Sequence, residues 1–281
     1  MIHTNNNILV LLAFLILAPA SSQADDWIKQ GEETLTFGLG VFLQAFDTSL
    51  RLDNQQVGAG GDVDLENDLG LTEDGTVFWL NLNWRFADKH RFGVSYFNFS
   101  RDATATALEQ IEIGDEIYPI GATLTTDFQA SIMPFYYAYS FIKKDKHELA
   151  GSVGFHWFEI SLDIEGSSSD APGGDLDANV SASVAAPLPL LGIRYDYYVT
   201  HRWTASAHGE VFALDLTDDA FHFSGRLYNI RLSTEYWFTN NFGAGAAINL
   251  FDLDAEVDDD DWKGAIDYRY FGPQIYIRAR I

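Results

Sequence analysis

Several stretches of this chain carry apolar residues at every second position over about ten residues, the length at which a tilted strand crosses a bilayer. In residues 34–45, Leu35, Phe37, Leu39, Val41 and Leu43 share one face, while Thr36, Gly38, Gly40 and Gln44 share the other. Residues 77–86 set Phe78, Leu80, Leu82, Trp84 and Phe86 against Asn81, Asn83 and Arg85. The last stretch sets Phe271, Pro273, Ile275, Ile277 and Ile281 against Tyr270, Gln274, Tyr276, Arg278 and Arg280. A period of two fits strands with one face in lipid and one toward a polar lumen, and it fits a soluble sandwich equally well.

The connections separate those two folds. Short polar ones at 87–90 (ADKH), 143–147 (KKDKH), 199–202 (VTHR) and 239–241 (TNN) alternate with longer acidic ones at 54–75, 105–126, 166–179, 215–220 and 254–261. Tight periplasmic turns alternating with long outer loops characterise outer-membrane barrels. The expected fold is therefore all-β: a single up-and-down antiparallel transmembrane β-barrel of about ten strands. Trp84, Phe86, Phe92, Phe141, Trp203, Trp237, Phe238 and Phe242 lie near the tight turns, where an aromatic girdle belongs. Four of the six lysines, Lys89, Lys143, Lys144 and Lys146, lie there too, whereas Asp62, Asp64, Glu66, Asp68 and the acids at 258–261 fall in the outer loops. Pro187 and Pro189 test the scheme, because a proline deletes a ladder hydrogen bond and a closed barrel has no edge. They fit at the outer rim if the membrane part of that strand runs from Pro189 to Tyr197, with Leu191, Ile193 and Tyr195 outward.

Residues 1–24 read as a signal peptide, with an apolar core at 8–17 (ILVLLAFLIL) and a small-x-small site at Ser22, Gln23 and Ala24, leaving 25–281 as the barrel. No cysteine is present, which excludes disulfides, thiolate metal sites and a lipid-anchoring cysteine. A formal charge of −24 excludes nucleic acid as a partner. The expected partners are outer-membrane lipid, lipopolysaccharide and the outer-membrane assembly machinery.

Residues 64–71 (DLENDLGL), 85–96 (RFADKHRFGVSY) and 187–195 (PLPLLGIRY), with Ile113, Gly114, Asp115 and Gly121, together resemble a widespread group of proteobacterial outer-membrane β-barrel proteins to which no reaction is assigned. The resemblance spans nearly the whole mature chain and implies fold and location only. Barrels of this kind usually finish in an aromatic residue, whereas this chain finishes Arg278, Ala279, Arg280, Ile281.

On the predicted lumen face stand Arg85, Arg91, His156, Arg194, Asp196, His208, Glu210, Arg231, Glu235, Arg278 and Arg280. Behind a low-dielectric wall such groups must pair or be hydrated. A non-enzymatic barrel with an ion-paired lumen and a surface or envelope-integrity role is the favoured expectation; a small-solute diffusion channel is the alternative, and a lipid-modifying hydrolase ranks third. Ser206, His208 and Glu210 supply the residue types of an acyl-hydrolase relay. Alternate residues on one strand stand about 7 Å apart with parallel side chains, however, so such a relay is better built across strands. No segment reproduces the motif pattern of omptin proteases or of palmitoyl-transfer barrels. Asp62, Asp64, Glu66 and Asp68 place four acids at alternating positions and suit Ca²⁺ or Mg²⁺, though without the EF-hand spacing. The plainer expectation is a solvated loop whose Leu69, Gly70 and Leu71 pack at the barrel mouth. Acidic loops facing lipopolysaccharide phosphates imply divalent cations between them.

Overall fold

The period-two pattern becomes one closed antiparallel sheet. The computed structural model describes residues 27–52, 62–113, 116–168, 176–218, 221–259 and 263–281; the signal-peptide reading of 1–24 lies outside them. The described strands are β1 (Leu35–Leu52), β2 (Asp62–Asp64), β3 (Asp74–Ala87), β4 (His90–Thr106), β5 (Ile111–Ile113), β6 (Glu116–Tyr118), β7 (Thr123–Lys143), β8 (His147–Ser168), β9 (Leu176–Tyr198), β10 (Trp203–Asp218), β11 (Phe221–Trp237), β12 (Phe242–Asp259) and β13 (Lys263–Arg280). Ten form a ring in the order β1, β3, β4, β7, β8, β9, β10, β11, β12, β13. Pairing of β1 with β13, from Thr36 opposite Arg280 to Leu52 opposite Gly264, closes it. The three short strands are additions: β2 lies on the outer part of β1, and β5 and β6 form a hairpin of their own.

The four tight turns fall where the sequence put them, for local reasons. Thr200 accepts the N–H groups of Arg202 and Trp203 through its hydroxyl, at 3.2 and 3.1 Å. Thr239 does the same for Asn241 and Phe242, at 3.3 and 3.0 Å, and such hydroxyl turns reverse the chain without glycine. Lys143 ties two turns together by donating to Asp88 Oδ1 at 2.6 Å, and this hydrogen bond holds the Asp88 carboxyl below its usual range.

The outward face defines a belt. On β13, Phe271, Pro273, Ile275, Ile277 and Ile281 face out, and Ile275 and Ile277 are 60% and 61% exposed. Ten residues of rise, about 33 Å along a strand tilted about 40°, give a height of about 25 Å, the thickness of a bilayer core. At the lower border Trp84, Phe86, Phe92, Phe141, Trp203, Phe238 and Phe242 are exposed as a girdle. Trp237 departs from that expectation: it is buried, pointing inward with the Arg280 guanidinium 4.0 Å from its ring. At the upper border outward charges sit side by side, Asp47, Arg269 and Asp252 on one wall and Asp102, Asp127 and Asp163 on another, with Glu159 exposed four residues lower on β8. Strands β7, β8 and β9 run 21, 22 and 23 residues, twice what a crossing needs, so the sheet continues beyond the belt into stretches the sequence reading assigned to loops.

The interior corrects the expectation of a polar lumen along the full height. Only the turn-side half is polar. In the outer half, inward residues including Phe42, Phe46, Phe99, Phe128, Phe158, Phe251 and Tyr268 form an apolar core with Leu65, Leu69 and Leu71 from one loop segment and Ile111, Ile113 and Tyr118 from the β5–β6 hairpin. Tyr118 is fully buried against Gly166, where a Cβ would stand 2.2 Å from the ring, and burial pushes its phenol up to about 12. Each buried aromatic of this kind contributes about 1.5–3 kcal/mol, so the loops are fastened inside the barrel mouth.

Replacing Ile275, near mid-belt, by Arg is expected to cost about 2–4 kcal/mol in reversible unfolding from lipid vesicles, whereas Ile281→Arg at the border costs about 1 kcal/mol or less. Equal costs at the two positions would remove the belt from the bilayer.

Candidate functional site

Glu148 is the first inward residue of β8 and is completely buried. It accepts Arg85 Nη2 at 2.9 Å on both oxygens, Arg91 Nη2 at 2.6 Å and the Tyr198 hydroxyl at 2.8 Å, and the Ser140 hydroxyl donates to it as well. Sequence reasoning missed this hub because Glu148 adjoins the 143–147 turn. Counting back by twos from His156 reaches it, and that parity was the available signal. Beside it, Asp196 accepts Arg194 Nε at 2.9 Å and the Ser206 hydroxyl at 2.6 Å, with Arg91 at 4.0 Å.

Higher in the same half, Arg278 pairs with Glu235 at 2.7 Å, and the Tyr276 hydroxyl donates to Glu235 at 3.1 Å. The Arg231 guanidinium lies 5.0 Å from the Trp79 ring and 5.2 Å from the Tyr276 ring, a cation–π arrangement. Glu210 accepts Asn229 Nδ2 at 2.6 Å, with His156 Nε2 at 3.3 Å and His208 Nε2 at 3.7 Å. Arg280, fully buried, donates to Glu33 at 3.0 Å and to the Asn240 carbonyl at 2.8 Å.

Residues 27–34 cross the turn-side mouth as a strap. Trp27 lies 4.3 Å beneath the Arg202 guanidinium, and the Ile28 N–H donates to Asn240 at 2.5 Å. Gln30 donates to the His201 carbonyl at 3.2 Å and accepts the Thr204 hydroxyl at 2.8 Å. Gly31 holds φ at 80°, and a Cβ there would come within 2.4 Å of the Tyr198 oxygen, so the bend requires glycine twice over. Among the described residues two cavities lie in this half. One, of about 100 Å³, is lined by residues including Trp79, Tyr136, His156, Arg194, Glu210 and Arg231; a second, of about 50 Å³, lies against Gln30, Glu33, Arg85 and Asp196. Each admits a few water molecules.

All eleven predicted lumen residues thus face inward, gathered around Glu148 and Asp196, around Glu235, around Glu210, and at Glu33. The sequence reading had not singled out Glu148, Glu33, Asn229 or Tyr198. Ser206 faces Asp196 directly across the β9–β10 pairing, and His208 faces Glu210, so the imagined Ser206, His208, Glu210 relay is not assembled. The loop acids make contacts of their own. Asp64 accepts the N–H groups of Glu66 and Asn67 at 3.0 and 2.8 Å, and Asp68 accepts the Asp64 N–H at 2.8 Å. Glu66 accepts the Thr48 N–H at 2.9 Å and pairs with Arg101, itself buried and 4.6 Å over Phe46, while Asp62 is exposed. Among the described residues no three metal-ligating side chains converge, and Asp64, Glu66 and Asp68 are engaged in turn capping and ion pairing.

No family model matches the sequence, and no curated protein matches it. Among solved structures, the outer membrane protease OmpT of Escherichia coli aligns with 93% of this chain and 100% of its own at a TM-score of 0.57 and 10% identity. The toluene transporter TbuX of Ralstonia pickettii and a FadL homologue of Pseudomonas aeruginosa align with 89% and 88% of this chain and 90% of each of theirs, at 10% identity and TM-scores of 0.36. The likeness to the protease shows the fold alone, a closed antiparallel β-barrel of the kind that this outer membrane protein has.

Glu148→Gln strips the charge that two buried guanidinium groups share, and breaking a buried pair from one side costs about 3–5 kcal/mol. Arg269→Gln removes ion pairs from a half-exposed outer wall and costs less than about 1 kcal/mol. Urea unfolding in detergent micelles compares the two; similar midpoints would deny Glu148 its central place.

Proposed function

We propose that this chain is a non-conducting barrel of the bacterial outer membrane, with its tight turns in the periplasm and its long strands at the cell surface, serving surface contact or envelope integrity and catalysing no reaction. The observation that carries the reading is the filled interior. Among the described residues the apolar core occupies the outer half, the ion-paired groups and the strap occupy the turn-side half, and the cavities between these groups are small, about 100 and 50 Å³. Hydrated ions need a continuous polar path, and Leu65, Leu69 and Tyr118, each at most 1% exposed, interrupt one. Paired charges also favour a rigid wall over chemistry, because every lumen carboxylate named above already accepts hydrogen bonds or ion pairs.

The outer border points to lipopolysaccharide as the neighbour. Asp102, Asp127 and Asp163 lie in one cross-strand row on the exterior, and like charges facing each other are unfavourable without counter-ions. Divalent cations shared between these carboxylates and lipid phosphates relieve both sets of charge. The assembly machinery is the proposed partner during insertion.

In planar bilayers the refolded protein is expected to show no steady openings at about 100 mV, a potential at which open barrels conduct visibly. Regular steps of conductance would favour the diffusion channel. In lipopolysaccharide, EDTA is expected to lower the thermal unfolding temperature and added Ca²⁺ to restore it; an unchanged temperature would dismiss the cation bridge.

A further inference from the structure

Strand β9 pairs with β8 along its whole length, from Tyr197 opposite His147 to Leu176 opposite Ser168. With β10 it pairs only from Tyr198 opposite Thr204 to Leu191 opposite Val211, although both strands continue outward. The cause is in the sequence. Backbone N–H groups of an antiparallel strand point alternately to its two neighbours, so Pro187 and Pro189, two residues apart, lack donors on the same side. The intact β8 ladder puts that side toward β10, and pairing stops two residues short of Pro189. Beyond Val211, β10 remains paired with β11 as far as Asp218 opposite Phe221. The ring therefore has a seam.

A second ladder also stops early, β3 with β4 at Phe78 opposite Asn98. There the 65–72 segment fills the wall, with Arg101 bonded to Glu66 and to the Thr72 carbonyl. Among the described residues no segment bridges β9 and β10 in this way. Leu191 stands six residues above Tyr197, the last outward residue of β9 before the 199–202 turn and 38% exposed, about 15 Å up a strand tilted about 40°, so the seam begins in the outer half of the belt. On β10 it reaches Asp215 at the upper border. Behind it Leu188, Leu190 and Phe212 are buried in the apolar core, and on its lips Leu191 and Val211 are 65% and 51% exposed. At that depth the lips meet acyl chains, and unpaired backbone N–H groups facing lipid need an acceptor.

We propose that the β9–β10 seam is a lateral binding cleft for an outer-leaflet lipid. One acyl chain lies between Leu190 and Phe212 against the apolar core, and the carbonyl of its linkage accepts the β10 N–H groups above Val211. The proposal rests on the membrane reading, and its test separates the two. The chain has no cysteine, so single bimane labels at Leu190→Cys, Leu227→Cys and Ile275→Cys need no background change. In phosphatidylcholine bilayers with dibrominated acyl chains, Ile275→Cys on the belt is expected to be quenched, Leu227→Cys deep in the core to be spared, and Leu190→Cys to be quenched about threefold more than Leu227→Cys. An unquenched Ile275→Cys overturns the membrane reading; quenching there with Leu190→Cys no different from Leu227→Cys overturns the cleft alone. Hydrogen exchange on unlabelled protein guards against a misfolded labelled variant. In detergent micelles whose molecules carry no carbonyl to stand in for the lipid's, amides at 213–217 are expected to exchange about tenfold faster than in Pro187→Val/Pro189→Val, which restores the donors. Equal protection in the two proteins would mean that no seam exists.

Discussion

A backbone in hydrocarbon has no water to satisfy its N–H and C=O groups, so a membrane-crossing sheet must close on itself. Everything else here follows from how that demand is met and where it is relaxed. The β1–β13 pairing closes the ring. Once closed, the alternation of the strands sends one set of side chains to lipid and the other to a lumen whose contents are no longer exchanged freely with solvent. Outside the belt the demand lapses, and β7, β8 and β9 continue as a wall standing in water, carrying acids on their outer face.

The two halves of the lumen solve the same packing problem with different chemistry. On the turn side, guanidinium groups share carboxylates, most densely at Glu148, and spare donor faces lie over Trp79, Tyr276 and Trp237. On the outer side, folded-in loops supply leucines, isoleucine and a buried tyrosine to a stack of phenylalanines. Charges pair well only with fixed partners, whereas apolar contact tolerates imperfect fit. The half built from strands and one strap is therefore ionic, and the half built from long loops is greasy. Arg101 with Glu66 is the exception that fastens the loop segment to the wall.

Much of this was legible in the sequence. Turn positions, strand number, the outward sets on β1, β3 and β13, and the inward placement of all eleven ionisable residues follow from a period of two and from connection lengths. What escaped has physical reasons. Phe42 and Phe46 share the parity of Thr36 and Gln44, so a face identified as polar by its ends hid an apolar middle. Glu148 looked like part of a turn. Trp237 looked like girdle, yet parity sends it inward beneath Arg280. The regular spacing of the acids at 62–68 did not show that Asp64 and Asp68 turn back on their own backbone. The prolines were rationalised at the rim, and the ladder shows them acting as well inside the belt.

The strap at 27–34 precedes β1, yet besides Asp145 and Arg85 its anchors come from the later part of the chain. Arg280 belongs to the final strand, Asn240 to the last turn, and Thr204 and His201 to the start of β10. Residues 27–34 therefore find their full set of contacts only once the carboxyl-terminal strand has docked, because Arg280 and Asn240 belong to that strand and to the turn before it. Sealing of the barrel floor thus certifies that the sheet has closed, and a chain whose sheet stays unzipped leaves residues 27–34 without these anchors.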